Sequence, residues 1–340
     1  MIAIHHRKGS FSDRWIEYCN QNNIQYKIVD CYSTNIIHDL KDCTHLMWAW
    51  HHNDYKAQLF ARQFIISIEH LGIKVFPNIH TCWHFDDKVG QKYLFESIKA
   101  PFIKSYVFYD LESSLEFINQ AEFPKVFKLR GGAGSENVKL LSTKKEAMIY
   151  AKKAFNTGFT TNRFSALKNR LWQFKRDKSL KSFLNIGRGV IRVFIKNEIH
   201  TKLPIEKNYF YLQDFIPDND SDIRVIVIGK RAFAIKRMTR DGDFRASGSG
   251  KIVYDKNEIP LECIKVAFET SKKLKTQSAA YDFVFLDDTA LIIEISYAFS
   301  QEGYLECPGY WDENLNWIEG GFIPEYFMIE DLLNLDENSS

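Results

Sequence analysis

The stretch SDIRVIVIGKRAFAIKRM, at residues 221–238, alternates apolar with other side chains in two runs on either side of a Gly-Lys pair. Alternation with a period of two predicts β-strands, and a two-residue turn that begins with glycine predicts a type II′ hairpin. Pairing across this turn places Asp222 opposite Arg237 and Arg224 opposite Ile235, all on one face. The other face, predicted to be core, carries Ile223, Val225, Val227, Ala232 and Ala234.

The charged face of this hairpin has two interpretations. A carboxylate paired with a guanidinium beside a second arginine fits the rim of a site for a polyphosphate nucleotide. The alternative is a solvent-exposed ion pair between the strands, which is worth less than about 1 kcal/mol.

A second hairpin is predicted in AYDFVFLDDTALIIEIS, at residues 280–296. With a three-residue turn at 287–289, Asp282 faces Glu294 directly across the strands. Two opposed carboxylates repel each other unless a cation lies between them or one is protonated. Mg²⁺ prefers such oxygen ligands, whereas a face open to water would simply solvate both charges. The shared face would also carry Val284, Leu286, Ala290, Ile292 and Ser296, opposite an apolar face of Phe283, Phe285, Leu291, Ile293 and Ile295.

Two glycine-rich stretches indicate anion binding. PKVFKLRGGAGSENV, at residues 124–138, places glycines directly after a short apolar run, which is typical of backbone that approaches a phosphate. It contains neither G-x-x-x-x-G-K-[ST] nor G-x-G-x-x-G, and its lysine precedes the glycines on the predicted strand. In DFRASGSG, Arg245 precedes small residues at 247–250 whose amides can point at an anion. A flexible surface loop is the alternative for this second stretch.

The 340 residues are enough for two or three packed domains. Strands that alternate with helical patterns over residues 1–90 predict a parallel, doubly wound sheet. Alternation over residues 208–300 predicts antiparallel sheet instead, so the predicted fold class is α/β with α+β character.

Charge is concentrated in one stretch. The formal net charge of +2 identifies no partner, but residues 162–202 contain eleven Lys or Arg and two acidic residues. This stretch is either a solvated helix face or a surface that attracts an anionic substrate or polymer. Nucleic acid is poorly supported as a partner, because the aromatic residues in the stretch have the helical spacing of packing residues.

The sequence favours a cytoplasmic location. No apolar run approaches the roughly 18 residues that a membrane span needs, and the first thirty residues lack the apolar core of a signal peptide. The six cysteines include no C-x-x-C pair, which suits a reducing compartment.

The order of the motifs resembles that of the ATP-grasp ligases, such as glutathione synthetase, D-alanine–D-alanine ligase and ribosomal-protein glutamate ligase. A lysine strand precedes a glycine loop, and QDFI, DIRVIVIG, KRMTRDGDFR and D…EIS follow. The resemblance covers about residues 75–300. FPNIHTCWHFDDK, QDFIPDNDSDIRVIVIG, DFRASGSG and CPGYWDENLNW are also similar to ATP-grasp proteins of bacterial capsule and surface-polysaccharide loci.

The resemblance implies a three-part chain that clamps ATP. Residues 1–90 would form a doubly wound pre-ATP-grasp domain, and residues 91–207 a central subdomain with a glycine lid and the basic stretch. Residues 208–335 would form a C-terminal subdomain with the Mg²⁺ site.

The resemblance also assigns individual residues. Lys88 and Lys128 would contact the phosphates beneath a lid formed by Gly131, Gly132, Gly134 and Ser135. The hinge residues Gln213, Asp214, Phe215 and Ile216 would read adenine through their backbone, and Asp222 would bind the ribose. Arg237 and Arg245 would stabilise the γ-phosphate and the acyl phosphate, and Asp282, Glu294 and Ser296 would bind Mg²⁺.

Two departures from the family pattern concern the ions and the acyl phosphate. The family usually has Asn two residues after the metal glutamate, where this chain has Ser296, so the resemblance leaves open whether one or two Mg²⁺ ions bind. The Asn commonly found after the FR arginine is also absent, and Ser247 or Ser249 would have to replace it.

The implied activity is ATP-dependent ligation of a carboxylate to an amine through an acyl phosphate. The substrates would be a small-molecule or glycan-precursor acid and an amine or amino acid, for instance an amino acid joined to a sugar acid of a surface polysaccharide. One alternative is a ligase that adds amino acids to a peptide or protein or forms peptide cross-links, and another is a non-catalytic nucleotide-binding protein. The sequence leaves a homodimer open.

Three further predictions concern other parts of the chain. Six residues at predicted strand ends are substrate-pocket candidates: His5, Arg7, Ser10, Trp50, His51 and His52. IHTCWHF has alternating His and Cys but no fourth ligand nearby, so the sequence gives little support to a zinc site in this segment. The aromatic segment at 302–322 would either border the active site or form a subunit contact.

Overall fold

The computed structural model describes residues 1–132, 137–160, 204–240 and 242–334. The chain forms two compact units. Unit 1 contains Met1–His51, Lys56–Ile103 and Ile216–Ser340, and unit 2 contains His52–Tyr55 and Lys104–Phe215. Gly134, Ser135 and the basic stretch lie outside the described residues. The three-part division expected from the sequence stays a prediction.

Unit 1 begins with a four-stranded parallel sheet in the order β2-β1-β3-β4, as the alternation of strands and helices predicted. Its strands are β1 (Ile2–His5), β2 (Tyr26–Val29), β3 (His45–Met47) and β4 (Lys74–Phe76). The helices of this part are α1 (Phe11–Gln21), α2 (Ile36–Asp39), α3 (Tyr55–His70), α4 (Ile79–Cys82) and α5 (Lys88–Ser97).

Unit 2 contains an antiparallel sheet in the order β5-β8-β6-β7. Its strands are β5 (Ser105–Phe108), β6 (Lys125–Lys128), β7 (Val138–Leu141) and β8 (Phe210–Asp214), and its helices are α6 (Leu111–Gln120) and α7 (Lys144–Phe155). Side chains that alternate along the strands, including Phe127, Leu141 and Leu212, form a core with residues of both helices such as Ile118 and Ala151. The helices therefore cover one face of this sheet.

Unit 1 ends with a seven-stranded sheet in the order β13-β12-β9-β10-β14-β15, with β11 paired to β10. Its strands are β9 (Ser221–Ile228), β10 (Arg231–Met238), β11 (Ile252–Val253), β12 (Ser278–Leu286), β13 (Thr289–Ser296), β14 (Gly309–Asp312) and β15 (Trp317–Glu319). Two helices accompany them, α8 (Leu261–Leu274) and α9 (Pro324–Asn334). The aromatic segment at 302–322 thus supplies two strands of this sheet.

The first predicted hairpin has the predicted register. Strands β9 and β10 pair Asp222 with Arg237 and Arg224 with Ile235. Gly229 has φ +54°, as a type II′ turn requires at its first position. The face predicted to be core packs against α8, and its members are Ile223, Val225, Val227, Ala232 and Ala234.

The second hairpin has the predicted carboxylate pair, but its turn is shorter than predicted and one strand contains a bulge. Asp287 and Asp288 both have positive φ and form a two-residue turn, because strand β13 already begins at residue 289. A bulge next to Asp282 then shifts the register by one residue, so that Asp282 still lies opposite Glu294. The face assignment of the strand end was consequently wrong: Ala290 and Ile292 lie in the core with Phe283.

One face of the seven-stranded sheet is divided between two environments. Its apolar part, which includes Ile226, Phe233 and Ala280, belongs to the same core as the parallel sheet. The remaining part carries the charged side chains of β9, β10, β12 and β13. The division follows from the sequence of the strands: on this face, apolar residues follow the charged ones along β9 and precede them along β10 and β12.

Two sequence-based expectations concern the chain as a whole. Each of the six cysteines is a buried free thiol. In the described ranges, no helix has both the length and the apolar character needed to cross a membrane.

Candidate active site

Six ionisable side chains meet on the charged part of the seven-stranded sheet, and we call them the charged cluster. They come from strands β9, β10, β12 and β13 and from the first residue of α5. Three are cationic and three are carboxylates: Lys88, Arg224, Arg237, Asp222, Asp282 and Glu294.

Arg237 lies at the centre of this cluster. Its Nε and Nη2 donate to the two carboxylate oxygens of Asp222 at 2.6 and 2.7 Å, and its Nη2 is 2.9 Å from Asp282 Oδ1. Burial alone would lower the pKa of Arg237, but the Asp282 and Asp222 carboxylates raise it above its usual range. Burial raises the pKa of Asp222, and Arg237 opposes that rise. The guanidinium is therefore charged and held in one orientation by two strands.

Arg224 binds the same carboxylate of Asp282. Its Nη1 donates to Asp282 Oδ1 and Oδ2 at 3.0 and 3.1 Å. The sequence places Arg224 on the charged face but assigns it no role. Tyr304, from the aromatic segment at 302–322, is buried beside both arginines; burial raises its pKa to about 12, while the arginines oppose that rise. The sequence predicts that this segment either borders the active site or forms a subunit contact, but it does not single out Tyr304, which follows Arg224 by eighty residues.

Lys88 and Glu294 form the second part of the cluster, with 3.1 Å between Nζ and Oε1. Helix α5 starts at Lys88 because Asp87 caps it, accepting a hydrogen bond from Gly90 N. Burial would lower the pKa of Lys88, but the Glu294 and Asp86 carboxylates outweigh it, so the pKa is raised. The lysine that the resemblance directs to the phosphates is thus a charged partner of a predicted metal ligand.

Gln91, which no sequence pattern singles out, joins helix α5 to strand β13. Its Nε2 donates to the carbonyl oxygens of His84 and Ile295 at 3.0 and 2.8 Å, and its Oε1 accepts from Ile295 N at 3.3 Å. The amide thereby satisfies both backbone groups of the residue after Glu294. Since Gln91 follows Lys88 by three helical positions, it lies on the same side of α5 and fixes that side against β13.

The Ser296 hydroxyl makes local hydrogen bonds. It donates to Ala298 O at 2.8 Å and accepts from Ala298 N at 3.2 Å. In the part of the chain that the structure describes, no group of three or more His, Cys, Asp or Glu side chains is arranged to hold a metal ion.

Arg245 lies in the loop after β10. Its Nε is 2.9 Å from both carboxylate oxygens of Asp243, which holds the guanidinium. The nearby Arg240 donates to Ser247 O at 2.6 Å and organises the SGSG turn. The predicted contact of Arg245 with an acyl phosphate stays a prediction.

In unit 2, Lys128 and Gln213 share the face of the sheet that α6 and α7 do not cover. Gln213 pairs with Val126, two residues before Lys128 on β6, so their side chains point the same way. Gln213 donates to Ser105 Oγ at 3.1 Å, and both Lys128 and Gln213 are buried. This common face is what the predicted roles of the lysine and the hinge require.

The other hinge residues differ in how their side chains are used. Asp214 points to the opposite face, where its Oδ1 accepts from Lys125 Nζ at 2.6 Å. Its predicted role depends on backbone and not on this carboxylate. Phe215 and Ile216 follow β8 and are half-buried.

The described part of the predicted lid contains a tight backbone approach. Gly132 has φ +110°, and a Cβ there would lie 2.3 Å from Asn137 Nδ2. The same Asn137 amide donates to Gly131 O at 3.0 Å. Glycine is therefore required at residue 132 by both conformation and space.

Two of the substrate-pocket candidates have structural roles. Ser10 caps α1, where its side chain accepts from Ser12 N. Trp50 is buried, and its backbone N and O are each 3.0 Å from the Tyr297 hydroxyl. His5 accepts a hydrogen bond from Cys31 N at 3.0 Å and is half-buried. Substrate contact by any of these residues stays a prediction.

Comparison with known proteins identifies the fold. Residues 179–305 match the model of the RimK-like ATP-grasp domain, and no curated protein matches the chain. The chain is similar to D-alanine–D-alanine ligase from Bacillus anthracis complexed with ATP, with a TM-score of 0.59 and 13% identity over 100% of this chain and 98% of that chain.

Two other solved structures have the same architecture. A RimK domain ATP-grasp protein from Sphaerobacter thermophilus DSM 20745 matches with a TM-score of 0.58 and 13% identity, covering 97% of this chain and 98% of that chain. The chain is also similar to a biotin carboxylase domain of 2-oxoglutarate carboxylase from Hydrogenobacter thermophilus, in complex with MgADP, ADP and bicarbonate. This match has a TM-score of 0.59 and 11% identity, and it covers 96% of this chain and 68% of that chain. The chain therefore has the ATP-grasp fold, and its match to the RimK-like domain supports membership of the ATP-grasp superfamily.

Proposed function

We propose that the chain is an ATP-dependent carboxylate–amine ligase that forms an amide through an acyl phosphate. The ATP-grasp fold supports this proposal, since similar structures include a ligase complexed with ATP and a carboxylase domain complexed with MgADP and bicarbonate. The observation that carries it is the charged cluster, in which three cations are held by carboxylates on one sheet face.

The reaction has two balanced steps. A carboxylate oxygen of the acid substrate attacks the γ-phosphorus of ATP, the bond from that phosphorus to the β,γ-bridging oxygen breaks, and ADP leaves. An uncharged amine then attacks the acyl carbon, the carbon–oxygen bond to phosphate breaks, and the amine nitrogen loses a proton. Activation is needed because a free carboxylate oxygen is a poor leaving group.

The protein would contribute positioned positive charge. The transferred phosphoryl group carries negative charge on its oxygens, and preorganised cations stabilise it without reorganisation. Lys88 and Arg237 are such cations, because Glu294, Asp222 and Asp282 hold them before substrate arrives. Lys128, Arg245 and the ribose and hinge contacts keep the roles that the resemblance gives them.

A divalent ion would be held by Glu294. This carboxylate is 29% exposed, and among the described residues its Oε1 has Lys88 as an ion-pair partner. Mg²⁺ commonly binds through one or two carboxylates and the phosphates of its nucleotide, so this residue fits one such ion. When bound, the ion supplies further neutralisation of phosphate charge.

The substrates are proposed by chemical class. Similarity of several motifs to capsule-locus ATP-grasp proteins supports an acid on a surface-polysaccharide precursor and an amino acid as the amine. The RimK-like match supports a second candidate, ligation of amino acids to a peptide or protein.

ADP release by the purified chain tests the activity. We expect release to require both an acid and an amine, with uronic acids, acidic peptides and amino acids as the panel. Hydroxylamine in place of the amine should trap the acyl phosphate as a hydroxamate, and mass spectrometry of the product distinguishes a sugar acid from a peptide acceptor. ATP turnover that never depends on a carboxylate would rule out ligation.

Glu294→Gln provides the matched variant. It should lower ADP release by about 10²-fold or more, because it removes the charge that holds Lys88 and the ion. The control is Glu313→Gln, since Glu313 is an exposed partner of Lys230 on the surface. Nucleotide binding without turnover in the unmodified chain would instead favour a non-catalytic protein.

A further inference from the structure

We propose that Asp282 positions Arg224 and Arg237 and does not bind a metal ion, so that the charged cluster takes one divalent cation, on Glu294, and not two. This inference rests on the proposed function, because it divides roles within the same site. It revises the sequence-based prediction, which gave Asp282, Glu294 and Ser296 to Mg²⁺.

The oxygens of Asp282 already have donors. Oδ1 accepts from Arg224 Nη1 at 3.0 Å and lies 2.9 Å from Arg237 Nη2, and Oδ2 accepts from Arg224 Nη1 at 3.1 Å. Two guanidiniums from two different strands therefore neutralise one carboxylate. A dication on the same oxygens would have to approach both guanidiniums within a few ångströms, and like charges at that distance repel strongly in a buried site.

The charge balance of the cluster leads to the same conclusion. Its three carboxylates are matched by one lysine and two arginines, so the cluster is neutral without any ion. The repulsion between Asp282 and Glu294 that the sequence predicts is thus relieved by side chains of the protein.

Ser296, the last residue of strand β13, does not supply the ligand for a second ion. The Ser296 hydroxyl donates to Ala298 O at 2.8 Å and accepts from Ala298 N at 3.2 Å. Its proton and one lone pair are therefore used within a local turn. Of the two predicted carboxylate ligands, Glu294 is the more exposed, with 29% of its side chain accessible against 16% for Asp282. Among the described residues, Glu294 has a single ion-pair partner.

The fixed geometry gives Asp282 a different task. Arg237 is held by Asp222 within its own hairpin, whereas Arg224 has Asp282 as its carboxylate partner. Loss of the Asp282 carboxylate would release Arg224 and leave Arg237 with one partner. Asp282 would then act on catalysis through the arginines, as a positioning residue.

Binding of Mn²⁺, followed by electron paramagnetic resonance in the presence of ADP, tests the number of ions directly. We expect one Mn²⁺ per chain and no dipolar broadening from a neighbouring Mn²⁺. Glu294→Gln should weaken Mn²⁺ binding by at least about tenfold. Asp282→Asn should change it by less than about threefold, as expected for a residue that is not a ligand.

The double variant Asp282→Asn/Arg224→Gln covers the case in which the single variant does not fold. It removes one negative and one positive charge together, so no uncompensated arginine remains on that side of the cluster. We expect its Mn²⁺ affinity to stay within about threefold of the unmodified chain. Its loss in kcat should be close to that of Arg224→Gln alone, because the two residues act as one unit.

Two results would overturn this inference. One is two Mn²⁺ ions per chain with dipolar coupling, and the other is an equal loss of Mn²⁺ affinity in Asp282→Asn and Glu294→Gln. Either could occur in a chain that still releases ADP in an acid- and amine-dependent way, which leaves the proposed function intact. Failure of the unmodified chain to bind ADP at all would overturn the proposed function together with this inference.

Discussion

The two hairpins that build the charged cluster neutralise their carboxylates in different ways. In the β9–β10 hairpin, Asp222 and Arg237 are a cross-strand pair, so the hairpin carries its own counter-charge. In the β12–β13 hairpin, Asp282 and Glu294 oppose each other, and their cations come from elsewhere. Asp222 thus has its counter-charge within its own hairpin, whereas both carboxylates of the second hairpin depend on cations from strands β9 and β10 and from helix α5.

The turns show the same contrast. The first turn contains Gly229, whose positive φ suits its position, and its strands run without a bulge. The second turn places two aspartates at positive φ, and a bulge follows next to Asp282. Bulges commonly re-aim side chains beside functional sites. The less regular hairpin is thus the one that presents both predicted metal carboxylates.

The largest stability difference between the hairpins should come from their aspartates. Asp282→Asn removes the carboxylate shared by two arginines, and because Asp282 and Arg224 are half-buried the cost should lie below the about 3–5 kcal/mol of a fully buried pair. Asp222→Asn should cost less, because Arg237 keeps Asp282 as a partner. Urea unfolding measures both free energies. An equal or larger loss for Asp222→Asn would contradict the dependence of the second hairpin on outside cations.

Acid should weaken the region that supports the second hairpin. His84, whose carbonyl accepts from Gln91, is fully buried, and neither ring nitrogen has a hydrogen-bond partner among the described residues. Burial lowers its pKa to about 4. The unfolded chain takes up the proton near pH 6.5 and the folded chain only near pH 4, so stability is complete above pH 6.5 and falls between these values.

The size of this acid effect is on the order of 3 kcal/mol if His84 acts alone. Thermal unfolding between pH 7 and 4.5 measures it. His84→Phe should flatten the profile, whereas His80→Gln, a change at an exposed histidine of the same segment, should leave it as it is. An unchanged profile in His84→Phe would assign the acid sensitivity to other groups.

Removal of the Gln91 amide should affect the second hairpin and not the first. Gln91→Leu leaves the N–H and C=O of Ile295 without their side-chain partner, which costs about 1–3 kcal/mol. Hydrogen exchange should rise in β13 and stay unchanged in β9 and β10. The control is Lys92→Gln, because Lys92 is the next helix residue and its ammonium contacts Glu96 and the Tyr93 ring of the same helix. Exchange that rises equally in β9, β10 and β13 would indicate general destabilisation.

The smallest effects should come from the turns. Asp288→Gly removes a side chain from a position with φ +65° and should stabilise the chain by up to about 1 kcal/mol. Gly229→Ala should have the opposite sign, because φ is +54° and the new Cβ would lie 2.1 Å from Asp331 Oδ2. Thermal unfolding compares the two. Destabilisation by Asp288→Gly would argue against the two-residue turn.

Much of the fold follows from local pattern. The parallel sheet was predicted by strands that alternate with helices, and the β9–β10 pairing by a glycine-led turn between two alternating runs. The carboxylate pair of β12–β13 was also predicted, although by two errors that cancelled: a turn one residue too long and a missing bulge. A bulge has no sequence signature here, so only the paired strands reveal that Ile292 belongs to the core.

The candidate site shows the same distinction between features that local pattern predicts and features that tertiary contacts decide. The sequence by itself determined which residues carry charge, and the alternation of each strand determined which of them share a face. Only the tertiary structure decided their partners: Lys88 meets Glu294, Arg224 meets Asp282, and Gln91 fixes α5 to β13. Alternation is a short-range consequence of backbone geometry, whereas these contacts join residues about 60 to 200 positions apart, for which local pattern carries no information.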